Sequence, residues 1–236
     1  MRDPLRGGPR MGRWLLSGLV LCALAACSSA PTNHGEVKGE DFHSRELLQS
    51  DSNRMATLAM KENLESLFLI MDKLYRRNPV EWKKTASSRE AAMTYVRIAV
   101  MERQPWHELQ DKRDVAALSL ALQPEFAGDR VAAFVHAAAD MLITAHGGKT
   151  EFFLIDGLDA QHLYNAARNL EVAVWMLAQR RSAKGTPLLL ADEINASGRN
   201  LSYEREFGKI IARLDLLALV TTEKYRRAVI GYVQGL

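Results

Sequence analysis

Residues 60–74 read MKENLESLFLIMDKL, and the spacing of their large apolar side chains decides the fold class. Met60, Leu64, Leu67, Met71 and Leu74 fall at i, i+4, i+7, i+11 and i+14, the recurrence of one face of an α-helix. A half-buried strand would alternate apolar and polar residues with period two, and this stretch does not. Just beyond it, Asn78-Pro79-Val80-Glu81 predicts a new helix start, with an N-cap asparagine, proline at the first helical position and an acid in the first turn.

The same punctuation recurs to the end of the chain. Ser87-Ser88-Arg89-Glu90 has capping-box spacing and opens a helix through Tyr95, Val96 and Ala99. Pro105 and Pro124 bracket a further helical segment that ends in the apolar run DVAALSLAL. Asp129 starts a helix in which Ala132, Ala133, Ala137, Ala138 and Ala139 allow neighbours to approach closely. Asp159 opens another, with Leu163, Ala167, Leu170, Val174 and Leu177 on one side. The last helix begins near Ser202, and its segment IIARLDLLALV, 210–220, is apolar nearly all round, which predicts a place at the centre of a bundle. That segment is too short for a membrane span and carries Arg213 and Asp215. The one candidate for extended structure is EFFLI, 151–155. The expected fold is all-α, a compact bundle of about seven helices forming a single domain over residues 42–236.

The first 41 residues follow another logic. Arg2, Arg6, Arg10 and Arg13 precede a short apolar run from Trp14, and Ala25 and Ala26 lead into Cys27. A basic region, a short apolar region and small residues before a cut site make a secretory signal peptide. Leu24-Ala25-Ala26-Cys27 resembles the lipobox of bacterial lipoproteins. The resemblance implies cleavage after residue 26, diacylation of the Cys27 thiol and acylation of the new amino terminus. Ser28, rather than aspartate, follows the cysteine, which in that family implies the outer membrane. Met11 is an alternative start, because MGRWLLSGLVLCALAAC is itself a complete signal. Residues 27–41 are then the lipidated Cys27 and a flexible tether without apolar periodicity.

Processing alters the charge balance. The whole chain holds 31 basic and 28 acidic residues; removing the four arginines and one acid of residues 1–26 leaves 27 of each. A neutral mature chain has no global pull toward nucleic acid, so no nucleic-acid partner is expected. The membrane is reached instead through acyl chains on Cys27, where several chains hold and one would not. The chain's other cysteine, Cys22, leaves with the signal, so no disulfide forms within a mature chain.

Chemical motifs are sparse. GGKT at 147–150 lacks the earlier glycine of a phosphate-binding loop, where Ile143 stands, and follows a helix rather than a strand; Gly147 reads as a helix stop. His136 and Asp140 share a helical face at a spacing that can hold a metal, but no HExxH or third ligand accompanies them, and neither a metal nor a cofactor is expected. His146, Asp156, Asp159 and His162 gather around one loop and offer acid–base chemistry a home, with Asp159 also the natural cap of its helix. LYNAARN, 163–169, resembles the YNA element of lytic transglycosylases, but Ala167 replaces that family's glycine and its Glu-Ser pair is missing. There is no GxSxG or SxxK nucleophile and no catalytic residue is assigned.

The expectation is therefore a lipid-anchored periplasmic protein of the bacterial outer membrane that binds another envelope protein without catalysis. The alternative is an envelope hydrolase with its site near 146–162. Phe152, Phe153 and Ile155 are the candidate partner-binding residues, because an extended EFFLI segment exposes one of its two apolar sides unless helices cover both.

Overall fold

The computed structural model describes residues 43–191, 194–195, 198–199 and 201–234, with the side chains of 194–199 left aside. The expected signal peptide, Cys27 and the tether lie outside the described residues. From Ser44 onward the chain forms one compact unit.

Among the described residues there are seven α-helices: α1 Asp51–Arg77, α2 Pro79–Thr85, α3 Arg89–Met101, α4 Asp114–Ala121, α5 Arg130–Ala145, α6 Ala160–Gln179 and α7 Ser202–Gln234. Two single 3-10 turns, Ser44–Leu48 and His107–Leu109, accompany them. A two-residue antiparallel pair, Ile194–Asn195 with Gly198–Arg199, bridges the approach to α7. The fold is all-α, a helical bundle as the periodicity implies. Met60, Leu64, Leu67, Met71 and Leu74 are all buried along α1.

Capping side chains fix the helix starts. Ser50, Asp129 and Asp159 each accept hydrogen bonds from first-turn amides: Asn53 N at 3.3 Å, Ala132 N at 2.9 Å, and Gln161 N at 2.8 Å. The start of α3 departs from expectation by one residue. Ser88, not Ser87, is the cap, accepting from Ala91 N at 3.1 Å, so Glu90 falls one place short of the reciprocal position of a capping box. Asn78 stands at the cap position of α2 but spends its side chain elsewhere. Its Nδ2 donates to Leu74 O and Leu190 O, and its Oδ1 accepts from Leu190 N, which pins the 187–191 segment to the end of α1.

Helix α5 ends as the glycine implied. Gly147 and Gly148 take φ of +73° and +78°; Gly148 N donates to Ile143 O at 2.8 Å and Gly147 N to Thr144 O at 2.9 Å. These paired bonds form a Schellman stop, not a phosphate loop.

Three other expectations are corrected. The bracket from Pro105 to Pro124 holds a helix only over Asp114–Ala121, because Gln110 and Asp111 take φ of +53° and +56° and break the chain's path. The segment 151–155 is not extended. Asp156 closes a turn on Phe153, its Oδ2 accepting from Phe153 N and its own N donating to Phe153 O, both at 2.8 Å. Finally, the central helix is α5, which packs against α1, α2, α3, α4 and α6, rather than the 210–220 segment of α7, where Leu216 and Leu219 face solvent.

Candidate functional site

Three positions on α5 escape full burial: His136, Asp140 and Thr144, spaced i, i+4 and i+8 along one face. The segment 102–113 lies over this stripe. Arg113 donates from Nε and Nη2 to Asp140 at 2.8–3.0 Å and from Nη2 to Thr144 Oγ1 at 2.7 Å. Arg103 reaches the same carboxylate at 3.1 Å. His136 Nε2 lies 2.9 Å from Gln104 O. A carbonyl only accepts, so Nε2 carries the proton and Nδ1 is a bare lone pair. Burial pushes the His136 imidazole below its usual range, opposed by the Gln104 bond and the Asp140 charge, so the ring is neutral near pH 7.

Between this stripe and the covering segment is a cavity of about 360 Å³. Val100, Leu109, Ala137 and Ile143 supply apolar walls, while Arg103, Lys112 and Arg113 bring positive charge. Trp106 also lines it, its ring 5.2 Å from that of His136 and 5.6 Å from that of Tyr95. Asp140 is satisfied by two guanidinium groups, whereas Lys112 has no ion pair among the described residues.

The backbone around this cavity is strained. Among the described residues, the four non-glycine positions with positive φ are Arg103, Gln110, Asp111 and Asp114, all within one twelve-residue span. Aspartate tolerates the left-handed region; arginine and glutamine do so at about 1 kcal/mol each. Trp106 Nε1 and His136 Nδ1 are also buried without a protein partner. Left-handed backbone at residues other than glycine is enriched at binding and active sites.

The residues expected to matter sit elsewhere. Among the described residues no group of three or more metal-type side chains gathers; the His136–Asp140 spacing serves to hold the covering segment. The loop quartet does not face a common point. His146 is buried at the end of α5, its Nδ1 2.8 Å from Leu142 O and its ring 5.8 Å from that of Phe152. Burial drives its pKa down to about 4. Asp156 is paired with Lys149, and that ammonium together with the Phe153 amide holds its carboxyl below the usual range. Asp159 caps α6, and His162 is exposed in the first turn. Phe152 is 1 % exposed and belongs to the core, so it offers no docking contact; Phe153 is half-buried, and Ile155 stands 96 % exposed at the turn's apex.

Sequence reasoning passed over the cavity, although a signal was present. An otherwise apolar helix with polar residues at 136, 140 and 144 has a covered polar stripe, and Arg103, Lys112 and Arg113 are the nearby cations that fit it. Comparison with protein-family models, with curated proteins and with solved structures finds no match.

Proposed function

We propose that this chain is a lipoprotein of the bacterial outer membrane, held on the periplasmic side by acyl chains on Cys27, and that its helical body is a non-catalytic binding module for another envelope protein. The anchor reading is supported by the lipobox and its flanks. The binding reading is carried by the strained, cation-bearing cavity over α5. A concave site of this size with apolar walls and a few charged groups suits one partly apolar, anionic group. Lys112, which has no ion pair among the described residues, is the natural contact for a carboxylate at the mouth, while Arg103 and Arg113 keep the covering segment in place.

The test has two arms, carried out on the full chain in native membranes. Cys27→Ala should move the protein from the detergent phase to the aqueous phase with its helical spectrum unchanged; continued partitioning with membranes would overturn the lipid anchor. Lys112→Glu should leave the melting temperature unchanged and abolish the cross-links the wild-type chain forms to its envelope partner. Normal cross-links in that variant would remove the cavity from the binding surface.

A further inference from the structure

The chain enters its folded body through the 3-10 turn Ser44–Leu48, where Leu47 is 74 % and Leu48 57 % exposed. Beside it stands the turn closed by Asp156. Leu154 N donates to Leu48 O at 2.9 Å, which holds the two turns together although they lie a hundred residues apart in sequence. Leu154 is 62 % exposed and Ile155 protrudes almost completely. From beneath, Gln49 Nε2 donates to Phe152 O at 2.9 Å, Asn53 donates to Phe153 O, and Phe152 N donates to Thr57 Oγ1 at 3.0 Å. Four large aliphatic side chains are thus presented on rigidly supported backbone at the point of chain entry. A contiguous apolar patch on supported loops is a contact surface rather than scattered exposure.

Chain length says what that surface meets. Sixteen residues, 28–43, lie between Cys27 and Ser44. A flexible chain of that length spans about 20 Å on average. A compact body of about 190 residues is roughly 40 Å across, so at the average span of the linking chain the entry face is held toward the leaflet and the opposite face away from it. The last helix emerges at the same end. Lys224 Nζ donates to Ser52 Oγ at 3.1 Å, and Tyr225 lines a cleft with Asp156 and Gly157. Beyond Tyr225, α7 continues exposed, with Val229 and Tyr232 on the face that is buried further back and Arg226 and Arg227 nearby in sequence. Tyrosine with basic neighbours is the composition of interfacial helices.

We infer that this end of the body is a membrane-seating face. With the acyl chains of Cys27 in the leaflet, Leu154 and Ile155 enter the boundary between headgroups and acyl chains of that same leaflet, and the body rests on the bilayer in one orientation instead of swinging on its tether. The inference rests on the lipid-anchor reading, and the test separates the two.

The acylated thiol of Cys27 is blocked and Cys22 leaves with the signal, so an introduced cysteine is the one free thiol of the mature chain. Ile155→Cys is compared with Leu190→Cys. Leu190 is bonded to Asn78 at the far end of α1, about 35 Å from Asn53 along the helix at 1.5 Å per residue. Each full-length lipidated variant is labelled with a polarity-sensitive fluorophore and reconstituted in vesicles of phosphatidylethanolamine and phosphatidylglycerol. The expected result is blue-shifted emission at 155, quenched by nitroxides carried on the lipids, with neither effect at 190. Equal, water-like emission at both positions, in a chain whose mass shows acylated Cys27, would overturn the seating face and leave the anchor standing. Shielding at 155 only in native membranes, accompanied by cross-links to a protein, would overturn it in favour of a protein partner. A mass without acyl chains would overturn the anchor and the seating face together.

Discussion

Helix α5 buries 13 of its 16 residues, whereas α7 buries 8 of 33. Both carry apolar runs that wrap around much of the helix, so hydrophobicity alone does not separate them. Side-chain size does. Six of the sixteen residues of α5 are alanine, and five neighbouring helices close on it from several sides. In α7 the apolar residues are mostly large, and only one stripe, through Phe207, Ile210, Leu214 and Leu217, meets the core. Leu216 and Leu219 on its other faces remain exposed. A central helix needs small residues because helix axes come within 8–10 Å only where side chains allow it.

The largest effect should arise where these two helices meet. Phe134 of α5 and Phe207 of α7 are both buried and pack edge to face, with ring centroids 6.3 Å apart. Phe134→Ala empties a site enclosed by the central helix's neighbours and should cost about 4 kcal/mol in urea or guanidinium denaturation. A loss below about 1 kcal/mol would mean that α5 can collapse around the gap and is not the rigid centre.

Sequence patterns made the helices legible for a physical reason. The apolar stripe of α1, the caps Asp129 and Asp159 and the glycine stop at 147–148 are local signals, each completed within a turn or two of chain. What was not legible depends on distant partners. The turn at 153–156 takes its shape from Asn53 and Gln49, about a hundred residues earlier, and no alternation rule applies to it once Asp156 closes it. Asn78 was drawn from its capping role by Leu190, 112 positions away. The cavity over α5 was hidden for the same reason: its covering segment owes its shape to Arg103 and Arg113 reaching Asp140, and nothing local to 102–113 announces that.

The end of α5 supplies the second contrast, read through pH. His146 closes the central helix while fully buried, and its pKa of about 4 lies below the 6.5 of an exposed imidazole. The folded state therefore binds its proton less readily than the unfolded chain. The stability linked to this group is complete above about pH 6.5 and is lost as pH falls toward 4, below which no further loss follows. From neutral pH to pH 4 the loss should be about 3 kcal/mol. His146→Leu should show that much less acid sensitivity than wild type when denaturation curves are compared at the two pH values. Parallel losses in the two chains would show that the ring at the end of α5 protonates without unfolding.

The smallest effect should come from the outer face of α7, where Leu219 is 66 % exposed beside Tyr164 and Arg168 of α6. Most apolar residues on a folded surface lie there because there is not enough polar surface to cover a protein, and their removal changes stability little. Leu219→Ser should shift the unfolding free energy by no more than about 0.5 kcal/mol. Serine lowers helix propensity by a few tenths of a kcal/mol relative to leucine, so even a small measured loss within that range is local and not a sign of packing. The comparison with Phe134→Ala is then a factor of about eight between two bulky apolar side chains. If Leu219→Ser instead costs about 2 kcal/mol or more, the outer face of α7 is buried in solution. A second α7 lying across the groove of Tyr164, Leu219 and Thr222 would account for that, and the midpoint of unfolding would then depend on protein concentration. A midpoint independent of concentration, with a loss under 0.5 kcal/mol, leaves α7 as a helix with a single working face.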